Sequence, residues 1–212
     1  MTLPFTAGDF FDVFSAYNRA LWPFAAALWG YALAVAVLFA LGRASSRSIA
    51  LLLAVQWAWA AVAYHAAFFS PINPAAWLFC VLFLIECGLI AWFGVVGNRL
   101  QFSTDGSPYR TFAWILIVYA LLYPLLFRAS GHAFPALPTF GVPCPTTILT
   151  LGFLFAARAS MPRVIAVVPL AWALVAGSAA LTLGVQPDLM LWVGGGAFAV
   201  HLASSARSTV HA

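Results

Sequence analysis

The sequence predicts an all-α bundle of seven transmembrane helices on three observations. Apolar stretches of about 20 residues, the length that crosses a bilayer, recur along the whole chain. Charged residues make up only 7% of it, against 65% hydrophobic. The arginines gather in alternate gaps between the stretches, as they do in the cytoplasmic loops of membrane proteins. A soluble exterior needs charge at about a quarter or more of its positions. No separate soluble domain fits, and residues 1–212 read as a single integral membrane domain.

Ahead of the first span, TAGDFFDVFSAYNRAL reads as a short helix on the outer membrane surface. Thr6 serves as its N-cap and Asp9 stands three residues on, as in a capping box. Phe10, Phe14, Tyr17 and Leu21 recur at helical spacing, with Asp9, Asp12 and Arg19 off that stripe. The segment is poor in basic residues for a helix lying on lipid, so packing against the outer ends of the bundle is its expected use. The first apolar run follows two aspartates rather than a cationic leader and is expected to stay as a resident helix.

Spans are predicted at 21–41, 49–69 and 75–96, each long enough to cross about 30 Å at 1.5 Å per residue. The segment 111–127 is slightly short, and 164–183 and 189–206 complete an easy set of six. The seventh candidate, 145–157, is tested by charge. If it crosses, Arg43, Arg47, Arg99, Arg110, Arg158, Arg163 and Arg207 share one side and only Arg19 and Arg128 lie opposite. If it does not, Arg158 and Arg163 join Arg128 and the asymmetry weakens. Seven spans follow, with the N-terminus, Asp9, Asp12 and Asp188 outside and the C-terminus in the cytoplasm. Lysine is absent and all nine basic residues are arginine, the usage of a GC-rich bacterial genome. The expected location is therefore the bacterial inner membrane.

The thirteen residues of 145–157 cover only about 20 Å as a helix, about 10 Å less than the hydrocarbon. Residues 134–144 cannot supply the rest as regular helix, because Pro135, Pro138 and Pro143 interrupt them. An irregular entry folded into the outer half of the bundle is the simplest construction, and such backbone is tolerated only against protein or a wet cavity. With Pro145 at the first helical position, Cys144 becomes the N-cap and Thr146 and Thr147 fall in the first turn. Free amides and the helix dipole would then favour an anion, a polar ligand or a thiolate there. The alternative is that Cys144 is a small buried hydrophobe in a packed loop.

Glu86 is the one acid inside a predicted span, where a charge costs at least about 2.5 kcal/mol. It is expected either to titrate or bind a ligand, or to lie protonated against Gln56, Tyr119 or a carbonyl. Cys80 and Cys87 share a helix face, with Cys80 near enough the outer end to meet Cys144 in a disulfide or a soft-metal site. His65 and His132 fall on the Cys144 side. With Asp9, Asp12 or Asp188 they offer a Cys-His-Asp set, or else are simple interfacial anchors. The expected ligand-binding set is Cys144, Thr146, Thr147, His65, Tyr64, Asn73, Glu86 and His132. His201 lies toward the inner side.

With no lysine there is no Schiff base to retinal or pyridoxal phosphate, and no cofactor is expected. The arginines form no basic stripe, so nucleic acid is not an expected partner. Lipid is, with a small solute or a partner membrane subunit.

DFFDVFSAYNRALWP, YHAAFFSPINPAA and GVPCPTTI, in this order, resemble a bacterial family of small multi-pass membrane proteins with a domain of unknown function. The resemblance implies an integral membrane protein and carries no activity, ligand or catalytic residue. The leading expectation is a binding or transport protein with an outward-facing polar pocket for a small solute, anion or soft metal, because broken or short spans mark substrate sites. The alternatives are a membrane-embedded enzyme with a Cys/His site on the outer face and an accessory subunit of a larger complex.

Overall fold

The computed structural model describes residues 4–103, 109–158 and 161–210, the last five by backbone alone. Seven α-helices follow one another, and no strand occurs among the described residues. They are α1 (Ala7–Ala40), α2 (Ser46–Trp59), α3 (Ala76–Ile90), α4 (Arg110–Ala129), α5 (Pro143–Phe155), α6 (Val167–Leu183) and α7 (Met190–Val210). Two of them change pitch. α2 continues as a π-helix over Ala60–Phe69, and α3 does so over Ala91–Val96. Short 3₁₀ turns, Arg163–Ala166 and Gln186–Leu189, lead into α6 and α7.

Five helical stretches are long and apolar enough to cross a membrane: Ala7–Ala40, Ser46–Phe69, Ala76–Val96, Arg110–Ala129 and Arg163–Leu183. Large apolar side chains face outward, among them Phe24, Leu78, Leu125, Leu174 and Val200, while Asn18, Gln56, His65 and Glu86 are buried. That distribution suits a lipid surround, since a contiguous apolar exterior of this kind is rare on soluble monomers.

The expected short N-terminal helix is helical but not separate. The Thr6–Asp9 capping box forms, with the Asp9 N–H on Thr6 Oγ1 at 3.2 Å and the Thr6 N–H on Asp9 Oδ2 at 2.8 Å. From there α1 runs unbroken for 34 residues through Pro23, about 51 Å at 1.5 Å per residue. Its first turns thus continue the span axis rather than lie flat. Phe14 and Tyr17 of the predicted stripe are buried against the rest of the bundle.

α5 begins two residues earlier than expected. Gly141 turns the chain at φ 80°, Val142 is extended and caps the helix, and Pro143 takes the first position. Cys144 is therefore inside the first turn, not the N-cap. Pro143 and Pro145 both lack an N–H, and the Thr146 N–H already bonds Val142 O at 3.4 Å, so Cys144 alone has an uncommitted amide in the first turn. The amide-rich anion site expected at this terminus is not built.

Every residue of α5 except Cys144 is buried. The helix packs against α2, α4, α6 and α7. Its short length is tolerated because neighbouring helices, not lipid, surround it. At its far end Phe102 and Ala157 form an antiparallel bridge, the Arg158 N–H bonds Gln101 O at 2.8 Å, and the Phe102 N–H bonds Ser46 Oγ at 3.1 Å. The start of α2, the loop after α3 and the end of α5 thus meet at one end of the bundle, the end opposite the α1 N-terminus.

The irregular entry is pinned by α1. The Asn18 amide donates to Pro135 O and Leu137 O, both at 2.7 Å, and its Oδ1 accepts from Thr139 Oγ1 at 2.6 Å. The Tyr17 hydroxyl donates to Phe140 O at 2.9 Å and accepts from Trp59 Nε1 at 2.7 Å. Gly141 is required here twice over, by its positive φ and because a Cβ would stand 2.5 Å from Trp59.

α4 and α5 approach closely at Gly152, where a Cβ would lie 2.8 Å from Ile117 Cγ1 and 3.1 Å from Ala113 O. Gly152→Ala is expected to cost about 1–3 kcal/mol, read as a lowered thermal midpoint in detergent. Gly196→Ala adds a methyl with nothing within 4 Å and is expected to change little.

Candidate functional site

A cavity of about 390 Å³ opens at the end of the bundle that holds the α1 N-terminus, and Tyr64, His65, Asn73 and Cys144 all line it. The π-helical pitch places the first two, since from Ala60 each carbonyl reaches five residues on and the faces rotate relative to an α-helix. Tyr64 is buried as part of this wall. Asn73 sits at the turn into α3, where its Oδ1 accepts the Ala75 N–H at 3.1 Å.

The other four expected residues lie elsewhere. Thr146 and Thr147 are buried inside the bundle because α5 starts early, and Thr147 Oγ1 bonds back to Pro143 O at 2.9 Å. His132 stacks on Phe11 with centroids 4.3 Å apart and leans on Phe127. Glu86 is fully buried away from the cavity, one turn beyond Phe83, and neither of its oxygens has a hydrogen-bond partner. Of its expected partners, the Tyr119 hydroxyl donates to Pro187 O at 2.8 Å and the Gln56 amide N–H to Leu28 O at 3.4 Å, while Gln56 Oε1 is as bare as the Glu86 carboxyl.

The polar anchor of the site is Asp188, which the sequence offers only as one of three acids for a Cys-His-Asp set and not in the expected ligand-binding set. α6 ends at Gly184 in the left-handed conformation, and the turn that follows carries Asp188 into the bundle, where it is 4% exposed. Tyr123 of α4 donates to one carboxylate oxygen, and the Cys144 thiol of α5 donates to the other at 3.3 Å. The signals were present: an acid in an otherwise uncharged loop, and two tyrosines, Tyr119 and Tyr123, at a spacing of four on one face of α4. Among the described residues no arginine lines the cavity. Burial pushes the Asp188 carboxyl from its ordinary 3.8 up to about 8, while the two donors favour its ionised form and oppose that shift.

The walls are aromatic. Trp172 of α6 stands 5.1 Å from Phe79 and 5.1 Å from His65, and Phe83 packs on His65 at 4.7 Å. His65 is fully buried in this box, and both its ring nitrogens and the Trp172 Nε1 have no hydrogen-bond partner. Buried polar groups are seldom left in that state, and both residues line the cavity, with the Cys144 thiol the polar group nearest the Trp172 side chain.

All three cysteines are free, so Cys80 and Cys144 form no disulfide. Among the described residues no group of three or more His, Cys, Asp or Glu is placed to hold a metal ion. Cys144 donates to a carboxylate and bonds no histidine, so the structure contains no Cys–His nucleophile pair at this site.

A family model described as a family of unknown function (DUF6064) matches residues 7–211, nearly the whole chain. No curated protein and no solved structure matches it.

The Asp188 environment predicts a pH dependence of stability. In the folded chain the carboxyl keeps its proton to about pH 8, whereas unfolded it loses it near 3.8. Between those values folding takes up a proton, so stability is full below the unfolded value and falls as pH rises through about 8. Thermal midpoints across that window are expected to decline in the native protein and to flatten in Asp188→Asn.

Proposed function

The chain belongs to the DUF6064 family of unknown function, and we propose that it is an integral protein of the bacterial cytoplasmic membrane that binds or transports a small solute held in the cavity. In this reading it crosses the membrane seven times as a single domain. The cavity opens outward with the N-terminus. Arg43, Arg47, Arg99, Arg110, Arg158 and Arg163 follow or precede helix ends at the end of the bundle where α2 starts, and only Arg19 and Arg128 belong to the other. That asymmetry supports a cytoplasmic α2 end. The side chain of Arg207, assigned to the same side, lies outside the described residues.

The observation that carries the binding reading is an aromatic cavity in which His65 and Trp172 hold bare polar atoms beside a buried carboxyl. Its volume of about 390 Å³ lies in the range of roughly 300–1,000 Å³ common for small-molecule sites. The solute class differs from the sequence expectation. An anion is disfavoured by Asp188, by the missing arginine and by the two prolines at the α5 start, so a largely apolar molecule with one polar group fits best.

The reading is tested by thermal stability of the purified protein against a panel of small apolar amines, alcohols and ketones. A true ligand at a hundredfold over its Kd stabilises by about 2.7 kcal/mol. Ala180→Phe fills the cavity wall and is expected to abolish the shift. A panel without any shift contradicts the binding role. For the topology, reporter fusions at Gly42 and Gly131 are expected to report the cytoplasm and the outside respectively.

A further inference from the structure

We infer that the ligand of this cavity is a small organic monocation, a protonated or quaternary amine on an apolar or aromatic body, and that it exchanges with a proton on Asp188. The inference rests on the binding reading above and narrows it.

Three features point to positive charge. Among the described residues Asp188 is the one acid lining the cavity and no arginine shares it, while lysine is absent from the chain. Its two oxygens are held by neutral donors, Tyr123 and Cys144, and each carboxylate oxygen keeps a further lone pair. The walls are aromatic: Phe10, Phe14, Tyr64, Phe79, Tyr123 and Trp172 all line the cavity. Ring faces carry the negative side of the aromatic quadrupole and attract cations, quaternary ammonium above all. The bare ring acceptor of His65 can take an ammonium N–H, and the Trp172 N–H can take an oxygen on the ligand body.

Charge balance supplies the exchange. An ionised Asp188 alone leaves an unneutralised charge in a dry site, which is costly. The site is neutral either as the carboxylic acid or as the carboxylate paired with a monocation. Binding therefore converts the acid and a free cation into the ion pair and one released proton. Burial that holds the carboxyl near 8 keeps the proton in place at neutral pH until a cation arrives. The other titratable groups lining this space are Tyr123 from α4, Cys144 from α5, and Tyr64 and His65 from the π-helical part of α2; Tyr119 of α4 lies beside it on Pro187 O, and the lining residues of α1, α3 and α6 bring none. Of these, histidine is the type whose ordinary pKa lies nearest neutrality, so the test separates His65 from Asp188.

The experiment is calorimetric titration of the full-length protein in detergent, in buffers of different ionisation enthalpy. The probes are phenoxyethyltrimethylammonium and its uncharged carbon isostere, in which a quaternary carbon replaces the nitrogen. The cation is expected to bind at least about tenfold more tightly than the isostere and to release about one proton at neutral pH. Asp188→Asn is expected to lose both the cation preference and the release while still binding the isostere, and His65→Gln to keep the release. If Asp188→Asn does not fold, the native protein decides alone: cation affinity should rise about tenfold per pH unit up to about 8 and then level. Equal binding of the isostere overturns the cation inference and leaves the pocket standing. Binding of neither overturns both. Cation binding without proton release, or release that vanishes in His65→Gln and survives in Asp188→Asn, overturns the exchange.

Discussion

At the end of the bundle that holds the α1 N-terminus, one carboxyl group sets the arrangement. Asp188 accepts from Tyr123 of α4 and from Cys144 of α5 while its own backbone belongs to the turn between α6 and α7. A buried carboxyl without donors is costly, so the first turn of α5, the middle of α4 and the 3₁₀ turn are held in a common position. Tyr119 reinforces this from the same face of α4 through Pro187 O. The cavity exists beside that junction because α5 does not continue upward to fill it.

Why α5 stops there is a matter of backbone accounting. Irregular chain inside an apolar bundle must have its carbonyls answered by protein. Asn18 and Tyr17 answer Pro135, Leu137 and Phe140. A helical first span thus doubles as the scaffold of the entry segment, which is why its polar residues sit on a helix long enough to extend past a single membrane thickness. The short fifth helix costs nothing in lipid mismatch because its neighbours enclose it.

Much of the fold was legible in the sequence. Length and apolar content alone locate 49–69 and 75–96 almost as Ser46–Phe69 and Ala76–Val96 appear. The start of α5 was ambiguous, since Pro143 and Pro145 suit a first turn equally; the positive φ of Gly141 selects Pro143, and local composition does not reveal that. Topology puts His65 on the Cys144 side of the bundle and says nothing of the distance between them. Glu86 was not separable from them, because depth along a helix says nothing of the face, and the π-helical stretch after Trp59 breaks any α-helical projection of α2. Trp172 was invisible for a different reason: an uncharged aromatic in an apolar span reads the same whether it packs or binds. His132 belongs to a loop whose fold back onto Phe11 depends on tertiary contact.

The functional reading and the fold share a single requirement, a desolvated carboxyl at position 188 whose charge no protein cation neutralises. The most direct measurement is infrared difference spectroscopy of the carboxylic C=O stretch, assigned to Asp188 as the band absent from Asp188→Asn and followed through a pH titration. The account predicts that this band persists at neutral pH and disappears with a midpoint near 8. A midpoint at the ordinary 3.8 would mean a solvated or paired carboxylate, and would contradict it.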